Sequence, residues 1–225
     1  MLERVLEPEV MDTVAEAVDY NSMDHSHVNR VFVDDLLVEL VQDAKGVRVP
    51  LRILDAGTGT ALIPLEMMSR GMGVDITAVD LAEQMLIVGR ENVRAAGHAE
   101  SIKLVLADCK RLPDADATYD VVMSNSIVHH IHEPRLVLAE MWRVLRSGGL
   151  LFVRDLMRPE NLAQLDHLVM TYAAGANSHQ KKMFRDSLHA ALTTDEVNEL
   201  LIQAGISNSA VKATSDRHWT IVARK

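Results

Sequence analysis

The chain has a single cysteine, Cys109, among 225 residues. A lone thiol excludes an internal disulfide and a multi-thiolate metal centre, and it fits a reducing compartment. Nowhere do 18 apolar residues run together, and the opening "MLERVLEPEV" has no apolar stretch. Neither a membrane span nor a secretory leader is therefore expected, and a cytoplasmic protein without a membrane partner is. There is no Pro/Gly/Ser-rich linker, no internal repeat and no low-complexity tract. With 48% hydrophobic residues, the chain is long enough to bury one large core, so a single domain over 1–225 is expected. A basic stripe is missing too. Net charge is −9, and residues 1–50 hold eleven acidic residues against four basic ones. Affinity for phosphate backbones comes largely from Lys and Arg, so DNA is not an expected partner.

What is present is periodicity. Val28, Val31, Phe32, Leu36, Leu37, Leu40 and Val41 recur at helical spacing, which predicts helices ahead of the first strand. Short β-rich runs then end near Asp55, Asp80, Ala107, Ser124 and Arg154. Helical signals such as "AEQMLIVGRENVRAAG" separate most of them. That alternation is the pattern of βαβ units on a parallel sheet. "TTDE" at 193–196 is a capping box that opens a helix stopping at Gly205. Two β-rich runs follow it, "ISNSAVKAT" and "RHWTIVAR", and they predict an antiparallel hairpin at the sheet edge. The fold class expected is α/β, a doubly wound, mostly parallel, seven-stranded sheet.

In such a sheet the first strand-to-helix turn lies at the switch point where ligands bind. Here it reads "DAGTGTA", and it lacks two things. A dinucleotide loop wants a third glycine where Leu62 stands, and a P-loop wants a lysine, yet none occurs between Lys45 and Lys103. Asp55, at the end of the first strand, would repel a pyrophosphate and suit a cation. Asp80 ends the second strand, where a carboxylate can accept both ribose hydroxyls, and Asp108 ends the third. Three carboxylates at successive strand ends predict a site for an adenosine carrying positive charge.

These residues resemble the class I methyltransferases that use S-adenosylmethionine. The matches are "LDAGTGTA", "VDLAEQML", "LADCKRLP", "YDVVMSNSIVHHI" and "LRSGGLLFVRD", in family order from Leu51 to Asp155. The resemblance, of the small-molecule ubiquinone/menaquinone-methyltransferase type, implies a Rossmann-like fold and a methyl transfer that leaves S-adenosylhomocysteine. It implies an N-terminal helical cap (1–48), a cofactor-binding core (49–155) and acceptor-side helices with a C-terminal hairpin (156–225). It places Asp55, Ala56, Gly57, Thr58 and Gly59 at the methionine end of the cofactor and Asp80 on the ribose. Leu81 and Met85 would flank the adenine, with Asp108 on its amino group and Cys109 beside the ring. Ser124 and Asn125 would stand near the reactive methyl. The Asn/Asp-Pro-Pro-aromatic signature of adenine amino-group methylation is absent, since this chain reads Ser124-Asn125-Ser126-Ile127. Other readings of the same residues are a non-catalytic binder of the cofactor and a methyltransferase of protein or RNA.

Histidines cluster in "VHHIHEP", after the fourth strand. Adjacent His129 and His130 point apart in either helix or strand, so no metal site is expected. His129 is instead the expected pocket residue and candidate general base, an imidazole being suited to take a proton from an acceptor. Arg154 and Asp155 end the fifth strand on the expected acceptor side. Residues 175–190 are a candidate pocket cover, and Tyr20 can close over the cofactor from the N-terminal segment.

Overall fold

The computed structural model of the chain describes residues 2–41, 50–206 and 209–225. Five strands, with helices between all but the third and fourth, follow in order: β1 (Leu51–Ala56), β2 (Val74–Asp80), β3 (Ile102–Leu106), β4 (Tyr119–Asn125) and β5 (Leu145–Leu156). They pair in parallel, and a last antiparallel pair, β6 (Ser209–Ala213) and β7 (His218–Arg224), completes one seven-stranded sheet in the order β3-β2-β1-β4-β5-β7-β6. The expected fold class and terminal hairpin are both present. β7 is the strand that joins β5, which leaves β6 at the edge.

Side-chain alternation sets the layers. Ile53, Val121, Met123, Leu150 and Phe152 face one way, against α2 (Ser26–Val41), α3 (Leu62–Met68) and α4 (Glu83–Ala95). Leu54, Val122, Leu151 and Val153 face the other, against α5 (Pro134–Val144) and α8 (Thr194–Gln203). Strands covered on both faces read as continuous apolar runs, which is why "YDVVM" and "LLFV" show no polar alternation. Trp219, Ile221 and Ala223 carry the second core out onto the hairpin.

At the N-terminal side, Thr13 and Glu16 form a capping box that opens α1 (Val14–Ser22). α2 buries Phe32, Val33 and Leu36, whereas Val31 and Val41 of the predicted stripe are exposed, because only a narrow face of the helix meets the sheet. Residues 42–48 of the expected cap, and Ser207 and Asn208 of the expected hairpin, lie outside the described residues. Beyond β5 come α6 (Leu162–Tyr172) and α7 (Ser178–Ala190), packed together through Leu165, Leu168, Leu188 and Phe184. Thr193 caps α8 in the predicted box with Glu196.

Candidate active site

The strand order reverses between β1 and β4, and the cavity opens there, as doubly wound sheets dictate. Its floor is the glycine turn. Gly57 (φ +77°) and Gly59 (φ +55°) are left-handed, a conformation that only glycine adopts without strain. Gly57 has a second reason to lack a side chain, since a Cβ there would stand 2.2 Å from Ile127 Cγ2. The Gly57 and Thr58 amides both donate to the Val79 carbonyl at 2.9 Å. Gly59 donates to Asp80 Oδ2 at 2.8 Å, and Ala82 donates to Asp80 Oδ1 at 2.9 Å. Asp80 thus ties the end of β2 to the turn, and burial raises its carboxyl above the usual range.

Gly57, Gly59, Asp80, Leu81, Met85, Asp108, Cys109 and Asn125 all line this cavity. Asp108 Oδ1 accepts from the Lys110 amide at 2.8 Å and stands 3.4 Å from Lys110 Nζ. Burial, aided by the Asp80 and Asp108 carboxylates, pushes the Cys109 thiol up, so it is a neutral apolar wall and not a nucleophile. Tyr20 also lines the cavity, its ring 3.5 Å from where a Gly59 Cβ would be, and stacks on His25 with centroids 4.5 Å apart. Burial, with Asp80 and Asp55 nearby, pushes its phenol up to about 12.

Asp55, Ala56 and Thr58 sit behind this wall, all three buried. Burial takes the Asp55 carboxyl up to about 7, with the Asp80 charge adding to the rise and Thr58 opposing it. Ser124 does not stand by the cavity as expected. β4 alternates, so Asn125 faces the cavity while Ser124 turns inward and donates its hydroxyl to the Ala56 carbonyl at 2.7 Å. Asn125 Oδ1 is buried with no hydrogen-bond partner among the described residues.

His129 requires the larger correction. It is 3% exposed and absent from the cavity wall, where His130 stands instead. After β4 the chain turns sharply at Ser126 (φ +59°), and the Val128 and His129 amides donate to Asp155 Oδ2 at 2.5 and 3.1 Å. Asp155 Oδ1 meets His129 Nδ1 at 2.5 Å. Burial pulls the His129 pKa down, but the Asp155 carboxylate outweighs it and holds the ring above its ordinary value. His129 is therefore a buried structural partner with no route to an acceptor proton. Arg154 and Asp155 do not pair with each other. They lie on opposite faces of β5, and Arg154 reaches Asp35 at 2.6 Å and Thr220 at 2.9 Å.

Periodicity gave no hint of the segment ahead of α1. Arg4 Nε donates to the Ala190 carbonyl at 2.7 Å and Arg4 Nη2 to the His129 carbonyl at 3.2 Å, while the Val5 amide donates to His189 at 3.2 Å. Glu9 pairs with Lys110, and Asp12 accepts from the Gln84 amide at 2.9 Å. Glu9, Val10 and Met11 form part of the cavity wall. This strap runs from the end of α7 across the β4 turn to α4.

Comparison with known proteins bears on this geometry. Residues 54–153 match the family model described as a methyltransferase domain. A malonyl-[acyl-carrier protein] O-methyltransferase of Geobacter sulfurreducens is 32% identical over 195 residues, covering 87% of this chain and 68% of its own length. The chain belongs to the class I S-adenosylmethionine-dependent methyltransferases. A demethylmenaquinone methyltransferase of Protochlamydia amoebophila is 28% identical over 183 residues, 76% of each chain. This methyltransferase spans about half the length of ubiquinone/menaquinone biosynthesis C-methyltransferases that it matches. In fold it is similar to a SAM-dependent methyltransferase from Aquifex aeolicus, with a TM-score of 0.68 at 19% identity over 94% of this chain and 97% of that one.

Proposed function

We propose that this methyltransferase acts on a small organic acceptor, with the methyl passing by in-line displacement to a nucleophile held at the β4 end of the cavity. The observation that carries the reading is the strap. Glu9, Val10 and Met11 close over a cavity already walled by Ser126, Ile127, His130 and Ile131, which favours an acceptor that can be enclosed over a polymer. The relatives named for demethylmenaquinone and for a carrier-bound malonyl group make those the first two acceptor classes to try. The buried, neutral Cys109 is at ease in the reducing cytoplasm.

The residues fit the cofactor. The unpartnered Asn125 Oδ1 in the cavity wall is an acceptor suited to the ammonium group, and Asp55, buried behind the wall on the adjacent strand β1, adds negative charge to that end once it ionises. Asp80 keeps lone pairs for ribose hydroxyls beyond the two amides it accepts from. Leu81 and Met85 offer apolar contact to the adenine, with Asp108 for its amino group and Cys109 at its edge. When bound, S-adenosylmethionine supplies an activated sulfonium methyl. The chain's own contribution is alignment and exclusion of water by the strap, since residues 175–190, expected as a cover, do not line the cavity, and orientation of that kind is worth ~7 to 11 kcal/mol of barrier.

The acceptor class is tested by incubating the chain with methyl-labelled cofactor and a small-metabolite extract. A low-molecular-weight product heavier by one methyl is expected, and Asp80→Ala should weaken S-adenosylhomocysteine binding ~10-fold to 150-fold, the worth of one lost charged hydrogen bond. Label found only in RNA, or in protein other than an acyl-carrier protein, would sink the small-acceptor reading.

Asp55 makes a pH prediction. Burial raises its pKa to about 7 in the cofactor-free protein, so part of the population carries its proton near neutral pH. A bound ammonium favours the carboxylate, so binding should release protons near neutral pH and weaken as pH falls through that range. Calorimetry of S-adenosylhomocysteine binding in two buffers of different ionisation enthalpy measures the release. No release, or the same release from Asp55→Asn, would remove Asp55 from the methionine end.

A further inference from the structure

The β4 turn and the strap bring together a cluster at the edge of the cavity, of which only His130 lines the cavity itself. Glu7 Oε1 lies 3.1 Å from His130 Nδ1 and 3.6 Å from His129 Nε2. All three ligand atoms fall within 4.8 Å of one another. Adjacent histidines diverge in a helix or a strand, but here the backbone is a turn, and the two rings stack with centroids 4.1 Å apart and planes tilted by 35°. The expectation that they could not converge is overturned by that turn.

Two of these atoms, Glu7 Oε1 and His130 Nδ1, are buried and, among the described residues, have only each other, 3.1 Å apart and outside good hydrogen-bond geometry. A buried pair so poorly satisfied is costly, and an ion that both can ligate lowers that cost. The third nitrogen is prepared for the same task. His129 Nδ1 is committed to Asp155 at 2.5 Å, so in the neutral ring Nε2 carries the free lone pair, the carboxylate–histidine arrangement that orients metal-ligating imidazoles. Charge agrees as well. The Glu7 and Asp155 carboxylates face the cluster, opposed by the Arg4 guanidinium, whose Nη2 is held by the His129 and Ile131 carbonyls.

We infer that Glu7, His129 and His130 bind one divalent cation of the zinc class, with a fourth position left for water or for an oxygen or sulfur of the acceptor. Ligand bonds of about 2.0 to 2.1 Å in a tetrahedron put ligand atoms about 3.3 Å apart. The two measured separations, 3.1 and 3.6 Å, fall on either side of that value. Two imidazoles and one carboxylate form a three-ligand set of the kind that keeps an open position. His130 also lines the cofactor cavity, so the ion borders the acceptor end, where it would lower the pKa of a bound hydroxyl or thiol. That last role rests on the proposed methyl transfer to a small acceptor; the binding itself does not.

The test uses the full chain stripped with chelator and no methyl acceptor. Zn²⁺ is titrated against a chromophoric competitor, and Co²⁺ is followed by its visible absorption. One equivalent per chain is expected, with Glu7→Gln and His130→Ala each weakening Zn²⁺ binding ~100-fold or more, while His27→Ala and His167→Ala on the surface leave it unchanged. S-adenosylhomocysteine binding is measured on the same samples. A cooperative unfolding transition shows that the variants are folded, and retained cofactor binding by Glu7→Gln, whose side chain is outside the cavity wall, separates this site from the cofactor pocket. If Glu7→Gln loses its cooperative unfolding transition, His130→Ala decides alone. Absence of stoichiometric binding, or binding that survives His130→Ala, would overturn the site and leave the methyltransferase reading standing.

Discussion

Gly59→Val should abolish S-adenosylhomocysteine binding, weakening it ~10³-fold or more, while the protein still unfolds in one cooperative transition. Three effects act on the turn together, and the first is relieved only if the turn moves away from the geometry that the cofactor needs. The residue sits at φ +55°, where a β-branched side chain is strained by about 1 to 2 kcal/mol. Its Cβ would already touch the Tyr20 ring at 3.5 Å, so the added methyls must enter the cavity or displace the ring. Its amide also anchors Asp80 Oδ2, and any shift of the turn moves the proposed ribose acceptor with it. The folded core loses little, because Gly59 itself belongs to neither hydrophobic cluster, although Ala56 and Ala61 on either side of it do. Calorimetry on the folded variant measures the loss. Wild-type affinity would mean that the cofactor does not cross this turn.

The glycine turn and the carboxylates of Asp80 and Asp108 at the cavity were legible in the sequence because each follows short-range rules, whereas Asp55, read as a third, sits behind the wall. A strand buried on both faces writes a continuous apolar run, a left-handed turn needs glycine, and a strand that ends at a ligand site ends on a polar residue. Gly57, Gly59, Asp80, Leu81, Met85, Asp108, Cys109 and Asn125 accordingly share one cavity. Ser124 was misplaced by a parity that the sequence does contain. Successive residues of β4 face opposite sides, so Ser124 and Asn125 cannot both look into the same space.

The strap and the histidines were not legible in this way. Residues 2–12 have neither helix nor strand, and irregular backbone has no period to detect. Their partners lie far off in sequence, Ala190 for Arg4 and Lys110 for Glu9, so no local pattern marks them. His129 and His130 were judged by the geometry of regular elements, whereas a left-handed Ser126 sets their actual directions. One signal was available. Asp155 is an acidic residue in the apolar strand "LLFVRDL", and a buried carboxylate must find donors. The histidines after the neighbouring parallel strand were the nearest candidates.

That carboxylate makes the second large prediction. Asp155→Ala should lower the unfolding free energy of the metal-free protein by about 3 to 5 kcal/mol, the cost of removing one partner from a fully buried ion pair. Asp155 is 0% exposed and accepts from the amides of Val128, His129 and Leu156 as well as from His129 Nδ1. Its loss strands those buried donors together, in a place where water cannot replace them. The exposed pair of Arg185 with Asp166 joins α7 to α6 and supplies the contrast. Solvent screens that pair, so Asp166→Ala should cost under ~1 kcal/mol. Urea titrations of both variants with chelator present, followed by far-ultraviolet circular dichroism, give the two numbers. If Asp155→Ala loses no more than Asp166→Ala, the turn after β4 is held by its own backbone, and Asp155 is not the residue that fixes the direction of His129 and His130.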